Sequence, residues 1–301
     1  SAGRERCLVD LDPSVCDFRL SLVTGTPVMT TNVAGATTLY AVPFNGNRIA
    51  IYDVAETVWD VLSSAQVSAS IGALLANTVY DVFAYNNAGN LAIEFLAWTS
   101  ATARATAIVF QDGVPCKSGD LSRRLLGTIR TGSAGTMDWN FGGTAAGGVA
   151  ANLGIWHANP KVRVPVAGMV RDSTDSWTYA VTAWRAANNS GSMRANLLDG
   201  DGTLQVKAAF GGIGNPPSTN YASVGIGLDS TTTLAAKATA TVTGTTGVQH
   251  GGTALYSGDI GLGWHYLQAL ECRLQGTGTI TFYGDNGIAF FQNGLAYEVM
   301  I

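Results

Sequence analysis

The sequence is short of charge. Asp, Glu, Lys and Arg make up 13% of its 301 residues, where about 25% is usual for a soluble domain, so a lone copy has little with which to coat an aqueous surface. Long apolar runs are also missing: Leu91 to Trp98 is short and broken by Glu94, far from the roughly 18 to 20 residues of a membrane helix, so no membrane span is expected. The opening Ser1-Ala2-Gly3-Arg4-Glu5-Arg6 lacks an apolar signal core, and Ser1 is a residue type left after removal of an initiator Met, so cytosolic synthesis is expected. Basic residues are scattered except at Arg123 and Arg124, and the formal charge is -4. That gives no electrostatic footprint for nucleic acid, and no such partner is expected.

Chemistry-bearing constellations are equally sparse. Cys7, Cys16, Cys116 and Cys272 contain no CxxC pair and no His at metal spacing, so they read as buried thiols rather than a zinc site. Cys7 and Cys16 can pair across a short loop, although a reducing cytosol would keep them apart; both states stay open. His157, His250 and His265 form no HxH or HExxH pattern, and no GxSxG elbow places a nucleophile. The acids Asp172, Asp175, Glu271, Asp285 and Glu298 cannot be paired into a glycosidase dyad by spacing. Asp199-Gly200-Asp201-Gly202 resembles a calcium loop only in its first half, with no Glu at the bidentate position, so it reads as a tight turn. Gly225-Ile226-Gly227 lacks the third glycine and the helix of a dinucleotide fingerprint. No catalytic, cofactor-binding or metal-binding residue is assigned, and the chain is expected not to be an enzyme.

What is present is hydrophobic and strand-forming: 47% hydrophobic residues, 37 Gly, seven Trp, ten Tyr and ten Phe, with a mean hydropathy of +0.18. Such a chain folds, and as a monomer it exposes more apolar area than soluble monomers tolerate. A homo-oligomer with large interfaces is therefore expected.

Residues 1–16 read as an N-terminal arm. Phe18, Leu20 and Leu22 alternate with polar neighbours, and Asn45-Gly46 lies between Thr37–Pro43 and Arg48–Asp53, predicting a hairpin. A second hairpin is predicted from Tyr80–Tyr85 and Leu91–Trp98, with a short helix at Ser118–Leu126, inside an N-terminal β-domain spanning 17–130. The Gly- and Ala-rich stretch 131–155 reads as a linker, although Trp139 and Phe141 suit packing onto a neighbour. From 156 to 301, eight or nine short strand-like segments predict a C-terminal jelly-roll-like β-sandwich. The fold class is all-β with two β-rich domains. Aromatic residues near turns, notably Trp177, Trp184 and Tyr283, are candidate glycan contacts because an aromatic face matches the apolar face of a sugar ring.

Several stretches are characteristic together: ATTLYAVPFNGNRIAIYD at 36–53, YDVFAYNNAGNLAIEFLAW at 80–98, RATAIVFQDGVPCKSGDLSRRLLGTIRT at 104–131, DSWTYAVTAWRAANNSG at 175–191, VGIGLDSTT at 224–232 and TFYGD at 281–285. From about residue 17 onward the chain resembles a family of tailed-phage and prophage virion structural proteins, tail-fibre-like or head-fibre and decoration-like. The resemblance implies a β-rich homo-oligomer on a virion, assembled from copies of itself, as a trimer, and with other virion proteins, its N-terminal domain serving particle attachment. A host-glycan-binding lectin-like role, or less readily a polysaccharide-degrading tailspike, are the alternative readings.

Overall fold

The computed structural model describes residues 12–132, 135–217, 220–245, 248–284 and 293–301. Within them the chain is all-β: strands are joined by turns and by two 3-10 turns, Pro160–Val162 and Ala187–Asn189, with no α-helix among the described residues. Two compact units are present. The first comprises the described residues within 1–30, 36–137 and 157–163, and the second those within 31–35, 138–156 and 164–301.

The first unit is built around strand Val79–Asn87. Six successive residues from Val79 to Ala84 are buried, because this central strand is covered on both faces and reads as a near-continuous apolar run. Its one buried charge, Asp81, is held by Arg104 at 2.8 and 3.1 Å and by Thr128 Oγ1 at 3.0 Å, so the carboxylate enters the core already partnered. Five strands follow in the order Asn90–Ala97, Val79–Asn87, Asp120–Arg130, Val114–Lys117 and Ile108–Gln111. The predicted second hairpin forms through a two-residue Ala88-Gly89 turn, with Asn87 opposite Asn90. A separate three-stranded sheet joins Phe18–Ser21, Thr38–Pro43 and Val67–Ser70.

Two local expectations for this unit are corrected. Thr38–Pro43 and Arg48–Asp53 are both strands, but they do not pair. The first bonds to Phe18–Ser21 and Val67–Ser70, and the second to Val58–Ser63. Asn45 and Gly46 take positive φ, as a turn at Asn-Gly requires, yet the chain leaves this turn into a different sheet. The helix expected at Ser118–Leu126 is instead a turn at Ser118-Gly119 followed by strand Asp120–Arg130. Gly119 at φ 83° allows the reversal, and the alternation after it is taken up by the sheet.

Residues 12–16 do not hang free of this unit. Arg124, buried within Asp120–Arg130, donates to the carbonyls of Pro13 (2.8 Å), Val15 (2.9 Å), Ala50 (2.9 Å) and Ser14 (3.4 Å). One guanidinium thus fixes the end of the arm to the hairpin Arg48–Ser63. Cys16, Cys116 and Cys272 are buried thiols. Cys7 and the rest of the arm lie outside the described residues, as does Asp285.

The second unit is the sandwich. One continuous sheet runs from Pro165–Asp172 through Gly294–Met300, Gln205–Asn215 and Val248–Asp259, and then turns back through Thr241–Thr245, Tyr221–Leu228, Gly263–Gln275 and Arg194–Asp199. The returning half packs on the first: a Cβ at Gly212 would meet Val224. Strand Gln205–Asn215 alternates, with Val206, Ala208 and Phe210 buried between the layers and Gln205 and Lys207 exposed on the outside, the period-two pattern of a sheet with one wet face.

The stretch 131–155 is not a bare spacer. It contributes strands Met137–Asn140, Thr144–Ala145 and Ala151–Leu153, and Trp139, Ala151 and Leu153 are buried. Nor does the division into units follow its ends, since His157–Arg163 folds with the first unit. Trp139, set edge-on to Phe141 at 6.0 Å, is the apolar anchor that a Gly-rich spacer would lack.

Candidate functional site

The candidate glycan contacts lie in the sandwich. Trp177 and Tyr283 come from paired strands, Ser176–Tyr179 and Ile280–Tyr283, and line one small cavity with Asp172, Glu271 and Asn293. Trp184 lies elsewhere, with its ring against the place where a Cβ of Gly225 would stand. All three aromatics are half-buried. The polar edge of Trp177 is occupied, since Nε1 donates to Glu271 Oε2 at 2.7 Å. The structure therefore brings two of the three together, around a cavity of only about 10 Å³, room for roughly one water.

The same cavity is lined by two buried acids, Asp172 and Glu271. Glu271 is 1% exposed; burial pushes its carboxyl up to about 7, against the opposing pull of the Trp177 indole and the Arg185 guanidinium. Arg185 reaches Glu271 Oε1 at 2.7 Å. Asp172 accepts from the backbone of Gly147 and Thr174 at 2.8 and 2.9 Å and from Asn188 Nδ2 at 2.7 Å. Each carboxylate is fully occupied in holding turns and strands, in a space that no sugar ring enters. Asp175 is exposed on the turn before Ser176, and Glu298 stands on the opposite, outer face of the sheet.

The other singled-out groups are placed just as specifically. Asp199 accepts from the backbone N–H of Asp201, Gly202 and Leu204 at 2.9 to 3.0 Å, and Asp201 accepts from Thr203. Asp199-Gly200-Asp201-Gly202 is a turn held by its own carboxylates. Gly200 is required there, because the Trp156 ring occupies the position of a Cβ. His157 is buried, with Nε2 on the Leu20 backbone at 3.1 Å; burial, together with the charges of Arg19 and Arg163, holds it well below its ordinary value. His265 Nδ1 meets Asp229 at 2.6 Å and its Nε2 meets the Leu262 carbonyl at 3.1 Å. Burial alone lowers its pKa, but the Asp229 carboxylate overcomes this and the net shift is upward. The second nitrogen of this His–Asp pair faces a carbonyl where a catalytic arrangement places a hydroxyl.

The feature sequence reading did not single out is the outer face of the sandwich. Across four strands Ala167, Glu298, Lys207 and Ser257 stand in register, and the next row is Met169, Ala296, Ala209 and Leu255. A shallow groove of about 460 Å³ runs over all of these but Met169. Leu255 is 53% exposed, Met300 49% and Met169 39%. The alternation of Gln205–Gly211 is a signal for such a face, but its cross-strand neighbours come from segments some fifty to ninety residues away, and strand Val248–Asp259 is masked in the sequence by Gly251-Gly252.

No family model matches the chain, and no curated protein matches it. Among solved structures it is similar to the insecticidal delta-endotoxin Cry8Ea1 of Bacillus thuringiensis (7% identity, 93% of this chain, TM-score 0.21). It is also similar to a structure of the infectious bursal disease virus Gx strain (12% identity, 94% of this chain and 74% of that one, TM-score 0.20). The chain spans about half, 52%, of the length of the endotoxin.

Proposed function

We propose that this chain is a non-enzymatic structural component of a bacteriophage virion, a fibre, spike or capsid decoration, that acts by assembling with copies of itself and with other virion proteins. The observation that carries the reading is the outer face of the sandwich: an ordered patch of Ala, Met and Leu on a chain with only 13% charged residues. Exposed apolar faces of this kind mark interaction surfaces. The resemblance of the sequence to virion structural proteins supports the particle as its setting.

Glu298 and Lys207 are cross-strand neighbours within this face, and Ala296, Met169, Ala209 and Leu255 form the apolar row beside them. A trimer is what the resemblance to virion structural proteins implies, and this face is the surface proposed to be covered in it. Ala209→Arg puts a bulky charge at the centre of the face without touching the inner layer. The substitution is expected to reduce the solution mass to that of a single 31.2 kDa chain while leaving the circular dichroism spectrum intact. A variant that keeps the mass of the unaltered protein would remove this face from the assembly.

A further inference from the structure

The first unit carries a larger concavity of its own. Three hairpin turns separated in sequence meet at one place: the turn after Asp53, the Ala88-Gly89 turn and the Ser118-Gly119 turn. They enclose a cleft of about 810 Å³. That volume lies within the range of small-molecule pockets, roughly 300 to 1,000 Å³, and turns gathered on a rigid sheet scaffold are a common position for binding.

Strand geometry fixes what points inward. Ile51 and Asp53 are two residues apart and share a face of their strand, and Asp60 is the cross-strand partner of Ile51. Asp120 and Ser122 project together from the neighbouring strand, and all of these line the cleft. Asp53 Oδ1 caps its own turn at Ala55 and Glu56, and Asp120 Oδ1 holds Ser122 at 2.6 Å. The Asp60 carboxylate, on a half-buried residue, accepts no hydrogen bond from any described residue. The nearest cation, Arg123, is 3.8 Å from Asp120 Oδ2 but is engaged by Glu94 at 3.0 Å and stacked over Tyr85 at 4.1 Å. No Lys, Arg or His lines the cleft; Ile51 and Val109 give it an apolar lining, while Tyr52 and Leu121 at its edge pack against the core of Ala50, Trp59, Val114 and Cys116.

We infer that this cleft is a saccharide-binding site for neutral or amino-substituted sugars. Carboxylate oxygens accept strongly from vicinal hydroxyls, the Asn86 amide, whose oxygen already holds the Gly89 N–H at 2.7 Å, donates to ring and hydroxyl oxygens, and the apolar lining receives the C–H face of the ring. Three carboxylates with no lining cation disfavour sialylated, uronic or phosphorylated sugars by like-charge repulsion. Among the described residues no group of three or more acidic, His or Cys side chains is placed to hold a metal ion, so recognition here is direct. The inference is independent of the assembly reading, since a cleft that binds no sugar leaves the sandwich face untouched.

The test is a glycan array probed with the full chain, carrying neutral, amino-substituted and acidic oligosaccharides, and repeated with Asp60→Asn, which keeps the shape of the side chain, and with Ser122→Trp, which fills the cleft. Thermal melts check that both variants fold. Binding to neutral or amino-substituted glycans, weakened at least tenfold by Asp60→Asn and abolished by Ser122→Trp, is the expected result. The two arms separate the two kinds of sugar. No binding to either arm, a preference for acidic glycans, or binding that survives Ser122→Trp would overturn the assignment.

Discussion

Arg124 donates to three of the carbonyls of residues 12–16, alongside single bonds from Asn159 to Cys16 and from Lys161 to Ser14, and Arg124→Met measures what the guanidinium contributes. The substitution keeps an unbranched apolar stem in place and removes the guanidinium. Three carbonyls then lose a donor at 2.8 to 2.9 Å, and the Ala50 carbonyl is in the core, where water cannot replace the lost bond. A buried acceptor left unsatisfied costs about 1–3 kcal/mol. The Pro13 and Val15 carbonyls come from half-buried residues and recover part of their loss by hydration. The expected destabilisation is about 3 kcal/mol, equivalent to a fall in Tm on the order of 10 °C for a unit of this size. Thermal unfolding followed by circular dichroism gives the magnitude. Tryptophan fluorescence adds a local probe, because the guanidinium sits 6.0 Å from the centre of the Trp59 ring. Hydrogen exchange should show amides of residues 14–17 opening before the strand Asp120–Arg130. A variant that melts within about 2 °C of the unaltered protein, with those amides still protected, would refute the clamp.

Two further perturbations probe the packing and the pH response. Gly200→Ala drives a methyl group into the ring of Trp156, a fully buried side chain, and overpacking of this kind costs about 1–3 kcal/mol; an unchanged urea midpoint would contradict the reported contact. His157 is depressed below its ordinary 6.5 in the folded state, so the unfolded chain binds the proton first. The stability it contributes is complete above about pH 6.5 and is lost as the pH falls toward and through the folded value. Urea midpoints at pH 7.5 and 5.5 should differ less in His157→Gln than in the unaltered protein, and equal differences in both would count against the shift.

Much of the architecture was legible because it is local. The run Val79–Ala84, the strands about Asn45-Gly46 and most strands after 156 declare themselves by β-branched and aromatic content, and the all-β class with a sandwich after the Gly-rich stretch follows from them. Pairing was less legible. Arg48–Asp53 bonds to Val58–Ser63, whose Glu56-Thr57 turn carries no Asn-Gly or Pro signal, so the stronger Asn45-Gly46 signal pointed to the wrong partner. At Ser118–Leu126, closely spaced charged and apolar residues fit a helical face as well as a strand, and Gly119 settled the matter through a turn. The sites were least legible of all. The outer face depends on rows drawn from Ala167, Glu298, Lys207 and Ser257, and the cleft on three turns spread from residue 53 to 120. Neither leaves a motif, because only the completed sheets bring these residues together.

The proposed role requires that so lightly charged a chain cover its apolar sheet face with copies of itself. Light scattering coupled to size exclusion, over a tenfold range of protein concentration, measures this most directly. The prediction is a trimer of three 31.2 kDa chains, about 94 kDa, stable across the range. A monodisperse species of about 31 kDa at every concentration would contradict the assembly claim and leave the face without a role.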